Sequence, residues 1–246
     1  MNKKAIFIFT VVIAAIVLFT LQPKNGDSPD STPTSKNEEA AYSPQIDPQQ
    51  FTHVIDNAYF RLPKDRELTY QGQTPDGVEK IVISIPGDTK EIMGVTTLVY
   101  LDKVWIDGVL VEDTIDYLAQ DKDGNVWYFG EEVNNYVDGK LTDHVGSWMA
   151  GIDGAMAGIW IKSQHTVNDT YKQEFYKGKA EDMRTVIAND EVVKIKMGEY
   201  SDCVNMYDWT PLDAEAKENK FYCPEVGAMV LETKPTGERI ELVDIQ

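Results

Sequence analysis

Between Asp107 and Gly154 apolar and polar residues alternate with a period of two: Val109, Val111, Ile115 and Tyr117 in one run, Val126 and Tyr128 in the next. An Asp-Gly pair interrupts the pattern at 107–108, 123–124, 138–139 and 153–154. A type I′ turn needs positive φ at both central residues, so Asp-Gly between alternating runs marks a hairpin. The stretch therefore predicts an all-β, antiparallel up-and-down meander, and the flanking chain extends it. Glu67–Gln71 and Glu79–Ile85 form a hairpin around Pro75-Asp76-Gly77, with Ile81, Ile83 and Ile85 on one face. Pro86-Gly87-Asp88 is a break. Val95–Ile106 is a long strand, with Thr97, Val99 and Leu101 on one face and Leu98 and Tyr100 on the other.

After the Asp-Gly region the pattern changes. Gly146–His165 is rich in Gly and Ala and holds Trp148 and Trp160, which predicts a long loop folded over a sheet face or into a barrel mouth. Alternation resumes at Thr170–Lys177, with Tyr171, Gln173 and Phe175 facing one way. Asp182–Ala188 and Val192–Met197 read as strands turning at Asn189-Asp190; a helix over Ala180–Ile187 is the alternative. Cys203–Trp209 and Lys217–Cys223 make a hairpin. Val226–Thr233 and Ile240–Val243, turning at Pro235-Thr236-Gly237, close the chain.

The N-terminus is of another kind. Residues 1–22 combine Lys3 and Lys4 with an unbroken apolar run, Ala5–Leu21, which reads as a signal anchor or a cleaved signal peptide. The two lysines put the N-terminus in the cytoplasm and the body outside it. No Cys is present for lipid attachment there. Residues 23–50 are polar and Pro-rich and read as a disordered linker. Residues 51–246 form a single extracytoplasmic β domain, in which Phe51–Leu62 is a short cap ending at Pro63. The formal charge of −18 makes nucleic acid an unsuitable partner.

Two cysteines fall in that domain. Pairing the Cys203–Cys223 hairpin about residue 213 sets them opposite each other, as in a cross-strand disulfide of an oxidising compartment. Unrelated buried thiols are the alternative reading. Without C-x-x-C spacing or a nearby His, zinc is not expected.

The stretches MGEYSDCVNMYDWTPL and NKFYCPEVGAMVLE, with QDKDGNVWYFGE, GSWMAGIDGAMAGI and QEFYKGKAEDM upstream, resemble an uncharacterised family of bacterial secreted and lipoprotein-like domains. The resemblance runs from about Ile55 to the end. It implies an open or half barrel and no particular activity. The chain departs from the family in lacking the lipidated Cys and in placing Glu225 where Gly is usual.

Four constellations are candidates for chemistry. Asp121, Asp123 and Asn125 begin like a calcium loop, but Gly124 comes early, so a hairpin turn is the plainer reading. Asp143, His144, His165 and Glu174 would meet only if the Gly-rich stretch folded back. Glu174, Glu181 and Asp182 are close enough in sequence for carboxylate-dependent hydrolysis, although chance grouping is common among 41 acids. Trp127, Trp148, Trp160, Tyr128 and Phe129 are candidates to line an apolar site, against ordinary core packing. Ser147 lacks nucleophile-elbow spacing, Asn168-Asp169-Thr170 is a glycosylation sequon, and no cofactor fingerprint appears. The expected function is a membrane-tethered binding module for a lipid or other apolar ligand. A structural or interaction protein of the cell envelope, with an envelope protein as partner, and a hydrolase are the alternatives.

Overall fold

A computed structural model describes residues 42–246; the apolar run Ala5–Leu21 and most of the linker lie outside the described residues. The chain begins with a 3-10 turn at Pro48–Gln50 and three two-residue strands, β1 (Phe51–Thr52), β2 (Asp56–Asn57) and β3 (Phe60–Arg61). The body follows: β4 (Glu67–Thr74), β5 (Gly77–Ser84), β6 (Thr89–Ile92), β7 (Val95–Ile106), β8 (Val109–Asp121) and β9 (Val126–Val137). Then come β10 (Lys140–Asp143), β11 (Trp148–Met149), β12 (Met156–Ile161), β13 (Thr170–Lys172) and β14 (Glu174–Phe175). The last five are β15 (Met183–Ile195), β16 (Gly198–Thr210), β17 (Asp213–Cys223), β18 (Ala228–Thr233) and β19 (Arg239–Ile245).

The strands pair antiparallel into a nearly closed barrel. One arc runs β4, β5, β7, β8, β9, β12; the other runs β15 to β19, and β19 returns to β4 with Leu242 opposite Tyr70. The Asp-Gly pairs do what the pattern predicts. Both residues are left-handed at Asp107-Gly108 (φ +48° and +80°), Asp138-Gly139 and Asp153-Gly154, while at 123–124 only Gly124 is. Met93-Gly94 makes the same turn between β6 and β7 without the signature residues.

The arcs meet at a seam. Thr170–Lys172 pairs with Thr185–Met183 of β15, and the Gln173 N–H goes to the Asp182 carbonyl. At the next residue the chain changes sides, and Glu174–Phe175 pairs with Ala157–Met156 of β12. The ladder is thus handed over in mid-strand. Side chains stitch the join: Arg184 Nη1 donates to the Trp160 carbonyl at 2.5 Å, and Tyr42 donates to the Ala157 carbonyl at 2.8 Å. Tyr42 belongs to the stretch read as linker; its last nine residues lie on the barrel as part of the body.

Three expectations need correction. Gly146–His165 is not one long loop: Trp148 pairs with Glu131 and Gly158 with Tyr128, so the stretch continues the neighbour of β9 with an excursion at residues 150–155. Its small residues serve close backbone approach. A Cβ on Gly158 would stand 2.2 Å from the Gln173 carbonyl oxygen. Asn189-Asp190 is not a hairpin turn but a bulged stretch within β15; the turn comes at Lys196-Met197, between Ile195 and Gly198. Alternation in residues 170–177 also breaks, since Gln173 and Glu174 are both buried where the strand changes partner. The helix over Ala180–Ile187 does not form.

The bulges bend the β15–β16 hairpin into a strap. Beyond them Val193 and Ile195 are buried, and β15 reaches β18, whose residues Ala228–Glu232 are all buried. Both faces of β18 are therefore covered, each buried aliphatic side chain contributing about 1.5–3 kcal/mol. The Cys203–Cys223 disulfide, with Cα atoms 4.2 Å apart, ties the base of the strap to β17, in the register the sequence predicts. The far end is held by the Lys196 N–H on Glu241 and by Arg239 on the Lys194 carbonyl.

One barrel mouth is plugged by the cap that the sequence predicts at Phe51–Leu62. Phe60 stacks among Tyr100, Trp160 and Tyr222, with ring centroids 5.8–6.2 Å away. Arg61 donates to the Pro224 and Glu225 carbonyls, and Gln120 accepts the N–H groups of Asp56 and Asn57.

Candidate functional site

The barrel interior is filled. Trp148, Trp160 and Tyr128 are all buried, Tyr128 standing edge-on to both indoles at 5.2 and 5.0 Å. Beside Trp160 the cavity among Phe60, Tyr70, Tyr100, Tyr222 and Met229 measures about 20 Å³, room for one water. Trp127 lies outside this group, half-buried, its indole N–H on Asp121 at 2.8 Å and its ring against Phe51. Phe129 is buried and also meets Phe51. The aromatic set predicted to line an apolar site is thus divided between an inner core and an outer contact.

Space for a ligand exists on the outside. A groove of about 340 Å³ opens between the strap tip and the outer face of β4 and β19, bordered by Gln71, Gln73, Val78, Lys196, Arg239 and Glu241. Alternation puts it there: Tyr70, Ile240 and Leu242 turn inward, so Gln71, Gln73, Arg239 and Glu241 turn outward. Arg239 and Glu241 form an ion pair at 2.9 Å.

The interior carries more charge than its cations balance. Asp208, Glu218, Glu232 and Glu79 on one side, and Asp102, Asp116, Glu131, Glu174 and Asp182 on the other, are each less than a tenth exposed. Two cations, Arg184 and Lys220, are buried as deeply. Their ion pairs are with the first group, and Lys220 also bears on Asp102. Arg184 grips Asp208 with two bonds of 2.6 Å, and Lys220 lies 3.3 Å from Asp208 and 2.5 Å from Glu218. Burial pushes the Asp208 carboxyl up, but Arg184 and Lys220 outweigh it and hold the group below the usual range. Glu232 shares only part of that charge, and burial with Glu218 beside it raises it to about 8.

Asp116, Glu131 and Glu174 of the second group have hydroxyls, indoles and other acids as neighbours. Asp116 is opposite Glu131 across β8 and β9. Burial raises Asp116 to about 7, although the Tyr128 hydroxyl donates to it at 2.5 Å. Burial, then Glu174 and Asp116, push Glu131 well above the carboxylate range; burial, then Asp182, does the same to Glu174. Neither Glu131 oxygen has a hydrogen bond of ordinary geometry among the described residues. Burial, then Asp116, raises Asp102 likewise.

The other sequence candidates separate. The Asp121 carboxylate accepts from the N–H groups of Asp123 and Asn125, the Asn125 amide and Trp127, so it organises its own hairpin. Asp143 caps the β9–β10 hairpin, and His144 bonds the Val133 carbonyl. His165 lies edge-on to Tyr59 at 4.6 Å, and burial, with Arg184 nearby, lowers it to about 4. These residues do not converge on Glu174. Of the three carboxylates Glu174, Glu181 and Asp182, the first and last meet inside the wall, while Glu181 accepts from the Gly178 N–H in the adjoining turn. Among the described residues no group of three or more His, Cys, Asp or Glu side chains has metal-holding geometry, and no helix is long and apolar enough to cross a membrane.

The residues that the sequence reading passed over are Arg184, Asp208, Lys220, Asp116 and Glu131. The signal for them was present. Following the period of two through Tyr100, Asp102 and Val104, or through Glu218, Lys220 and Tyr222, puts charged side chains at inward positions.

No family model matches the chain, and no curated protein matches it. Among solved structures it is similar to one described as a lipoprotein from Parabacteroides distasonis ATCC 8503. The identity is 12% and the TM-score 0.40, over 76% of this chain and 98% of that one. The likeness carries no function with it. The compartment follows from the chain itself: a Cys203–Cys223 disulfide persists where thiols are oxidised, so the domain is extracytoplasmic.

Proposed function

We propose that the chain is an extracytoplasmic binding module, tethered to the membrane through Ala5–Leu21, that takes a small polar ligand in the groove under the strap. The supporting observation is the contrast in room: about 340 Å³ outside against about 20 Å³ beside Trp160. The outer volume is of the size that small-molecule sites have. Its border offers the Lys196 ammonium and the Gln71 and Gln73 amides as donors and the Glu241 carboxylate as acceptor. That chemistry suits a ligand rich in oxygen atoms rather than a lipid chain. An apolar ligand at Trp148 and Trp160 would require the barrel to open, and the buried Glu174–Asp182 pair gives a hydrolytic substrate no path.

Native mass spectra of the exported protein, compared with its denatured mass, test the reading. Added mass that is lost on denaturation, and lost in Lys196→Glu with Gln73→Ala, is expected. A ligand that survives both substitutions, or a bare mass with no thermal shift across a panel of sugars and organic acids, would overturn it. A second reading, an interaction protein of the envelope, is favoured by exposed Val78, Val109, Val137 and Leu141 beside the hairpin turns of one rim. Crosslinking in the envelope tests it.

A further inference from the structure

The outer side of the seam differs in chemistry from the inner side. Tyr42 lies over the join, its ring edge-on to Phe175 at 5.6 Å and its hydroxyl donating to the Ala157 carbonyl at 2.8 Å. The Lys172 ammonium stands over both rings, 4.8 Å from that of Phe175 and 5.8 Å from that of Tyr42. Beyond Phe175 the chain makes a tight turn. Tyr176 and Ala180 exchange backbone hydrogen bonds, and Gly178 takes a φ of +72° with nothing within 4 Å of where a Cβ would stand. The turn lifts Lys177 and Lys179 into solvent. Lys179 folds back over Tyr176, 4.3 Å from the ring centre and 2.7 Å from the hydroxyl.

We propose that Lys172, Lys177 and Lys179, with Tyr42, Phe175 and Tyr176, form the face by which the domain rests on an anionic phospholipid surface. None of the three lysines is in an ion pair among the described residues. Of the acids in the same stretch, Glu174 and Asp182 are buried, and Glu181 accepts the Gly178 N–H. The chain as a whole carries −18, but charges more than about 8 Å away are screened at physiological ionic strength, so the local balance decides. Tyrosine rings beside lysines suit a membrane–water interface: the rings sit at headgroup level, and the ammonium groups pair with lipid phosphates.

The place of this face points to the same occupant. Tyr42 is the first described residue, and residues 22–41 lead back from it to the apolar run Ala5–Leu21. A chain tethered at this point holds the face near the bilayer at high effective concentration, so weak contacts suffice. The proposal takes its location from the reading of Ala5–Leu21 as a tether, and its chemistry from the face itself. Around the ring, β12 and β15 stand across from β4 and β19, so resting on this wall turns the groove under the strap away from the bilayer. The competing occupant is the chain's own Glu38-Glu39 pair, which precedes Tyr42.

Flotation and hydrogen exchange test this on the full chain, disulfide intact, with vesicles of phosphatidylcholine alone and of an equal mixture with phosphatidylglycerol. Flotation with the neutral vesicles reads the tether. On the mixed vesicles a peptide covering 170–181 should gain about tenfold protection over the neutral ones, while 68–85 on the opposite wall keeps its own. Lys177→Glu with Lys179→Glu should abolish the gain without moving the thermal midpoint, since both side chains are exposed; Lys177→Arg with Lys179→Arg should keep it. Equal protection on the two kinds of vesicle, a gain on another wall, or a gain that survives the Glu substitutions would overturn the face. Protection that ignores the lipid and is lost in Glu38→Gln with Glu39→Gln would give the lysines to the chain's own acids, and would overturn it too. If the chain does not float with neutral vesicles, the tether reading fails, and flotation with the mixed vesicles, lost in the Glu variant or not, decides the face by itself.

Discussion

Two clusters of buried acids lie in one barrel, and the carboxyls at their centres differ in the charge of their neighbours. On the β16–β17 side, Asp208 is buried yet held ionised, because Arg184 grips it with two bonds and Lys220 stands by. On the seam side, Asp116, Glu131 and Glu174 are buried to the same degree and are pushed toward protonation, because their neighbours are other acids. Burial alone does not set the charge of a carboxyl group; the identity of the side chain one strand away does. The first cluster is a rigid brace, and its Arg184 also reaches the seam through the Trp160 carbonyl.

The most severe way to break that contrast is to make the first cluster resemble the second. Arg184→Met leaves Asp208 buried without its main partner and removes the stitch to Trp160, so unfolding in urea should come easier by about 3–5 kcal/mol. Lys220 remains and keeps the loss from growing further. Next comes the strap. Reducing Cys203–Cys223, or replacing both with Ser, should cost roughly 3 kcal/mol and loosen the outer cover of β18 before the ring. Limited proteolysis cutting first within residues 187–203 would show that order.

Acidity sharpens the comparison. Asp116 at about 7 and Glu232 at about 8 are raised in the fold, so the unfolded chain holds fewer protons between pH 4 and 8 and stability falls as pH rises through that window. Asp208 is lowered, so its contribution is lost only in strong acid. Midpoints measured from pH 4 to 9 should therefore peak on the acid side of neutrality; a peak above pH 8 would contradict the assignment. His165 works the other way, its contribution falling away as pH drops from 6.5 toward 4, and His165→Phe should flatten only the acid limb. The smallest expected effect is a gain. At pH 8, Glu131→Gln removes a group that the fold must keep neutral, and should stabilise by about 1 kcal/mol, whereas Asp208→Asn should destabilise.

Much of the fold was legible because it depends on local chemistry. Asp-Gly pairs favour left-handed turns, and Asp107-Gly108, Asp138-Gly139 and Asp153-Gly154 form them. Cys203 and Cys223 found each other because the register of one hairpin is local arithmetic. Gly158 misled for the opposite reason: a residue chosen so that two backbones can touch looks, in sequence, like a residue chosen for a loop. The bulges around Asp190 misled as well, since a left-handed residue serves a bend as well as a turn. The candidate site was less legible. Gln71, Gln73 and Arg239 are ordinary outward positions until a strap from more than a hundred residues beyond the first two roofs them.

The sequence by itself determined an antiparallel meander, its main hairpins, the cap at Phe51–Leu62 and the disulfide, because alternation, turn chemistry and hairpin register act over a few residues. Tertiary structure decided which acids have a cation for a neighbour, where the ladder changes sides and which face carries a groove. Those depend on partners brought together by closing the barrel, and Coulomb energy and backbone pairing depend on distance in space, which the order of residues along the chain leaves open.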